Sequence, residues 1–77
     1  MRIKTMKIYA VGFNSKEYYS HNDTFYAKLE DAVEDYIDRL KDNGMDYVKK
    51  EAVTNEVNLY GYHVTDKYHI VERRVIL

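Results

Sequence analysis

The chain has 77 residues, 12 basic and 13 acidic side chains, a formal net charge of −1, nine tyrosines, no proline and no cysteine. The missing cysteines exclude disulfides, thiolate zinc sites and iron–sulfur clusters, so packing or self-association must supply the stability of a single small domain. The balanced charge argues against a dedicated binder of duplex DNA, which usually presents a clear basic excess. The charge is nevertheless sorted along the chain: residues 1–28 hold five bases against two acids, residues 29–48 two against seven, and residues 49–77 five against four.

The first residues, MRIKTMKIYAVGF, begin basic and turn apolar. The apolar part is too short for a secretory leader and lacks a small-residue cleavage site, and no run approaches the ~20 residues of a membrane span. A cytoplasmic location is the expectation. Met6-Lys7-Ile8 reads as a plausible translation start, which would make residues 1–5 an optional extension. Asn22-Asp23-Thr24 fits a glycosylation sequon but carries no weight without a secretion signal. The first strand is expected over Met6 to Phe13, alternating Ile8, Ala10 and Gly12 with Tyr9, Val11 and Phe13. The small residues would let a helix approach closely, so their face is expected inward.

Asn14 to Asp23 reads as a polar loop and Thr24 to Ala27 as a short strand. Leu29 to Asn43 is the strongest helix in the chain. Leu29, Ala32, Val33, Tyr36, Ile37 and Leu40 fall on one face at helical spacing. Its start lacks a good capping residue, Glu30 and Asp31 favour the first turn through the helix dipole, and Asn43-Gly44 is a stop signal.

The remainder reads as strands: Tyr47 to Thr54, a turn at Thr54-Asn55-Glu56, Val57 to Val64, a tight turn at Thr65-Asp66-Lys67, and Tyr68 to Leu77. The expected order is β-β-α-β-β-β. It implies an α+β fold, a largely antiparallel sheet of four or five strands with one helix across one face; a split βαβ arrangement is the alternative.

The helix also carries Asp31, Glu34, Asp35, Asp38 and Asp42, a column of like charges. Each like pair at this spacing costs an isolated helix about 0.2–0.5 kcal/mol, and Asp35 with Arg39 offers a helpful pair. The column can be a solvated face that keeps the protein soluble, or a ridge that docks on a basic partner. On the sheet, Tyr60 and Tyr62 are expected to share a face, with Tyr68 on the next strand and Tyr9 a candidate for the same surface. Such tyrosines can be inert, form a protein or homodimer interface, or stack single-stranded bases.

His63 would lie opposite His69 if the hairpin loop held the three residues Thr65 to Lys67, and the two could then share a metal with His21 or an acid. A two-residue loop at Asp66-Lys67 would break that pairing. No spacing motif supports a metal site, and no cofactor is expected. Catalysis has no anchor either: Ser15 and Ser20 lack an elbow motif, and Gly12, Gly44 and Gly61 are isolated.

The leading expectation is a non-enzymatic binding protein acting through the acidic helix, with Tyr60, Tyr62 and Tyr68 as a second contact or dimer surface. Lys, Asn, Ile, Tyr and Phe outnumber Gly, Ala, Arg and Pro by 29 to 11, a bias of AT-rich genomes. That bias suggests a phage or mobile-element accessory protein inhibiting a host factor, with a nucleic-acid-handling protein as partner. The alternative is a single-stranded nucleic-acid-binding or regulatory module using the tyrosine-bearing sheet face.

Overall fold

The computed structural model describes residues 3–14 and 23–77. It is an α+β fold with the order β1 (Thr5–Phe13), β2 (Thr24–Tyr26), α1 (Leu29–Asp42), α2 (Lys50–Tyr60), β3 (Tyr62–Val64) and β4 (Tyr68–Ile76). The four strands form one antiparallel sheet in the order β2-β1-β4-β3. Most of the expected loop from Asn14 to Asp23 lies outside the described residues.

α1 forms where the periodicity placed it. Ala32, Val33, Tyr36 and Leu40 are fully buried and Ile37 nearly so. Lys28 supplies no side-chain cap, as its residue type implies. The far end closes in a Schellman arrangement: the Met45 N–H bonds the Leu40 carbonyl at 2.8 Å and the Gly44 N–H bonds the Lys41 carbonyl at 3.0 Å. Gly44 takes φ +78°, and Met45 packs partly buried against the core.

The second helix departs from the expected pattern. Residues 50–60 are helical, not the end of one strand, a turn and the start of another. Val53 and Val57, four residues apart, are the only buried positions, so the apolar stripe is one side chain wide and mimics strand alternation. The Thr54 hydroxyl, inside the helix, donates to the Lys50 carbonyl at 3.0 Å. Gly61, at φ +85°, ends the helix and turns the chain into β3. Two helices therefore cover the sheet rather than one.

The facing of β1 is also opposite to the expectation. Tyr9 and Val11 join Tyr68 and Ile70 in the core beneath the helices, and alternation puts Ala10 and Gly12 on the other face. The small residues serve neighbours within the sheet: Ala10 pairs with Phe25 and Val71, and Gly12 lies beneath the Asp23 side chain. The outer face runs across the strands from Phe25 through Ala10 and Val71 to Tyr62.

β1 and β4 pair over nine residues each, from Thr5↔Ile76 to Phe13↔Tyr68. β2 covers only positions 9–11 of β1, and β3 only positions 69–71 of β4. Residues 5–8 and 73–76 consequently extend as a two-stranded ribbon, and the molecule is 48 Å long by 29 Å by 18 Å. No helix of the described residues is long and apolar enough to cross a membrane.

Two glycines separate crowding from backbone conformation. A Cβ at Gly12 would collide with the Asp23 carboxylate, whereas at Gly44 nothing lies within 4 Å and only the positive φ resists a side chain. Gly44→Ala is expected to cost about 1–2 kcal/mol. Gly12→Ala is expected to cost about 1–3 kcal/mol and also to displace Asp23 from His69. Urea denaturation gives both costs, and the His69 ring resonances move in the Gly12 variant alone.

Candidate functional site

On the solvent side of α1, Asp31, Glu34, Asp38 and Asp42 are exposed, and none has an ion-pair partner among the described residues. At 1.5 Å per residue the row is roughly 16 Å long. Its back is the buried stripe, so the carboxylates stand on a helix fixed by the core.

Asp35 leaves this row and turns toward the sheet. Its carboxylate accepts the Tyr26 hydroxyl at 2.6 Å, Arg39 Nε at 2.9 Å and Arg39 Nη2 at 3.2 Å. Arg39 Nη2 also donates to Thr24 Oγ1 at 3.2 Å, so the pair ties α1 to β2. The hydrogen bond to Asp35 raises the Tyr26 pKa, helped by desolvation and by the nearby negative charge. The helpful Asp35–Arg39 pair is thus made, and it occupies Asp35 internally.

The tyrosines do not assemble into one sheet surface. Tyr68 is 5% exposed, its ring centroid 4.7 Å from that of Phe13, and its hydroxyl accepts Asn43 Nδ2 at 2.8 Å. Tyr9 is also in the core. Tyr60 ends α2 while Tyr62 begins β3, so the left-handed Gly61 separates residues expected on one strand face. Both remain exposed, 69% and 53%, and they meet again at a cleft of about 390 Å³ lined by Glu56, Tyr60, Tyr62, His63 and Val64.

The histidines separate as well. The Thr65 N–H bonds the Tyr68 carbonyl at 2.9 Å, which closes the hairpin on the two-residue turn Asp66-Lys67. His63 then pairs with Ile70 and Val64 with His69, putting the two imidazoles on opposite faces. His69 Nδ1 lies 2.9 Å from Asn14 Oδ1 and Nε2 lies 3.1 Å from Asp23 Oδ1, which fastens β4 to the end of β1. His63 Nε2 lies 3.1 Å from the Glu56 carboxylate and Nδ1 2.7 Å from the Tyr36 hydroxyl. No three acidic or histidine side chains form a metal cluster among the described residues; His21, Ser15 and Ser20 lie outside them.

The chain Glu56–His63–Tyr36 resembles a catalytic relay in composition only. Tyr36 is fully buried, and burial with the nearby Glu56 charge pushes its pKa up to about 12 against a weaker opposing hydrogen bond from Thr65. The hydroxyl stays protonated and lies within hydrogen-bond reach of His63 Nδ1, while His63 Nε2 lies within reach of Glu56. The chain links α1, α2 and β3 and holds Glu56 at the mouth of the cleft.

Pairing of β1 with β4 also brings Lys4, Lys7, Arg73 and Arg74 onto one ribbon. Among the described residues only Lys7 has an acidic partner there, Glu72 at 3.3 Å. Sequence reading missed this group because its members are some 70 positions apart. It missed the Glu56–His63 contact because the helix end between them was read as strand.

Comparison with known protein families, curated proteins and solved structures finds no match.

The buried phenol has a pH signature. Tyr36 titrates near 10 when unfolded and at about 12 when folded, so its contribution is complete below pH 10 and is lost as pH rises from 10 through about 12. The loss is expected to reach up to about 2 kcal/mol. Thermal unfolding across that window should show this decline in the wild type. Tyr36→Phe should start about 1 kcal/mol lower, because His63 Nδ1 loses its hydrogen-bond partner, and should lack that component of the slope.

Proposed function

We propose that this protein is a non-enzymatic binding module that docks the acidic ridge of α1 on a basic surface of a partner protein. The observation that carries the reading is the row Asp31, Glu34, Asp38 and Asp42, exposed and without an ion-pair partner among the described residues. Like charges at helical spacing oppose helix formation, so apart from the favourable place of Asp31 in the first turn the row adds nothing to the fold that would account for it. The buried stripe of α1 absorbs that cost and presents the charges without reorganisation on binding.

A row of carboxylates on a rigid rod meets the same cationic side chains that a phosphate backbone meets. The partner class that fits is a nucleic-acid-handling protein whose binding surface the ridge occupies. A small phage or mobile-element inhibitor of a host factor has this form. Tyr60 and Tyr62 are exposed and offer a second contact away from the ridge, and Tyr68 contributes through the core instead. Association of two copies through the outer sheet face, where Phe25, Tyr62 and Val64 are exposed, is compatible with a ridge left free.

A second reading, binding of single-stranded nucleic acid, is favoured by Lys4 and Arg73, which alternation puts on the same outer face as the aromatic side chains Phe25 and Tyr62.

Charge reversal separates the two. The double variant Glu34→Lys, Asp38→Lys is expected to keep its melting temperature, since it relieves like-charge repulsion. It should lose at least about tenfold in affinity for a basic protein captured by the wild type and displaced by heparin. The double variant Arg73→Glu, Arg74→Glu should leave that capture unchanged. Retained capture by the helix variant removes the ridge reading. Nucleic-acid binding lost only in the ribbon variant establishes the second one.

A further inference from the structure

β3 is an edge strand whose one neighbour is β4. The Glu72 N–H bonds the Gly61 carbonyl at 2.7 Å and the Thr65 N–H bonds the Tyr68 carbonyl at 2.9 Å. Positions 61, 63 and 65 therefore direct their main-chain groups at β4. By alternation, the N–H and C=O groups of Tyr62 and Val64 point away from the sheet. No strand pairs with them, and no loop or cap hydrogen bond reaches them among the described residues.

The side chains alternate across the sheet faces. His63 points to the helices, where it meets Tyr36 and Glu56, and Tyr62 and Val64 point to the outer face. One cleft touches all three, together with Glu56 and Tyr60. A single space in contact with residues from both faces of a strand lies along the strand's edge. It is the groove between α2 and the unpaired side of β3.

We propose that this groove takes an extended segment of a partner protein as an added strand on β3, with a Lys or Arg side chain of that segment seated at Glu56 between Tyr60 and Tyr62. The outward groups of Tyr62 and Val64 supply the main-chain ladder, and the groove supplies the side-chain preference. Glu56 is 47% exposed, and only its Oε2 is taken by His63, which leaves Oε1 for a cation. The flanking tyrosine rings favour the same charge. A second copy fits the edge poorly. Residues 56–66 contain Glu56 and Asp66 and no lysine or arginine, so edge-to-edge pairing of two β3 strands would bring like charges together. The site lies on β3 and α2 and does not depend on the reading of α1.

The test titrates the isotope-labelled full chain with short acetylated peptides of alternating Thr and Val carrying a central Arg, a central Glu, or the central Arg with alternate amides N-methylated. The Arg peptide is expected to move the amide resonances of residues 61–65 and to bind about tenfold more tightly than the Glu peptide, with no binding of the methylated one. Glu56→Gln should abolish the preference for Arg and keep the binding. Val64→Pro should abolish binding of every peptide: it removes an outward N–H, and proline is tolerated on edge strands. The methylated peptide gives the same answer on the unmodified protein. The proposal is overturned by an absence of saturable binding at about 1 mM peptide, by binding indifferent to methylation, or by shifts centred on α1 or on the ribbon. It is equally overturned if sedimentation finds a dimer that Val64→Pro makes monomeric, because the edge then belongs to a second copy.

Discussion

The β1–β4 ladder is the contact on which the rest of the structure hangs. It joins the N-terminal and C-terminal parts of the described chain over nine residues on each strand, and β2 and β3 are only short additions to its flanks. The helices pack on the half of the ladder that those additions widen, with Val11 and Ile70 fully buried beneath them. Each surface discussed above takes its position from this arrangement. The acidic row lies on the far side of a helix seated on the ladder. The ribbon is the part of the ladder that extends past the short strands. The groove is the side of β3 that the ladder leaves unpaired.

Polar side chains then fasten the pieces to one another. Asp35, Arg39 and Tyr26 hold α1 to β2, His69 with Asn14 and Asp23 holds β4 to the end of β1, and Tyr36 with His63 and Glu56 holds α1 and α2 to β3. No buried side-chain polar atom lacks a partner among the described residues. In a core this small, that matters as much as apolar area, because one orphaned polar group costs about 1–3 kcal/mol.

What the sequence disclosed follows the same division. α1 was legible because a broad buried stripe needs several apolar residues at one period, and Leu29 to Leu40 has them. α2 was not, because it buries only Val53 and Val57, and branched residues in a short segment read as strand. Gly61 carried the corrective signal, a helix stop, but it also fits the interior of an edge strand. The facing of β1 was misread because small residues were credited to helix packing when Asp23 uses the space above Gly12. The acidic row was visible from spacing alone, apart from Asp35, whose turn toward Tyr26 depends on where β2 lies. The ribbon and the Glu56–His63–Tyr36 chain depend on residues made neighbours only by the completed fold.

The length of chain enclosed by the central ladder has a kinetic consequence. β1 and β4 pair residues more than 50 positions apart, whereas α1, α2 and the β3–β4 hairpin draw mainly on neighbours in sequence. Closing a loop of that size costs roughly 3–4 kcal/mol in the logarithmic chain-entropy term. Until it closes, the apolar stripe of α1 has only part of its floor. The fold therefore has the profile of a small protein slowed by contact order, with local elements forming and dissolving before the ladder commits them. During that interval β4 is unpaired along most of its length, and Arg73 and Arg74 stand on it as charges that discourage premature pairing with another chain.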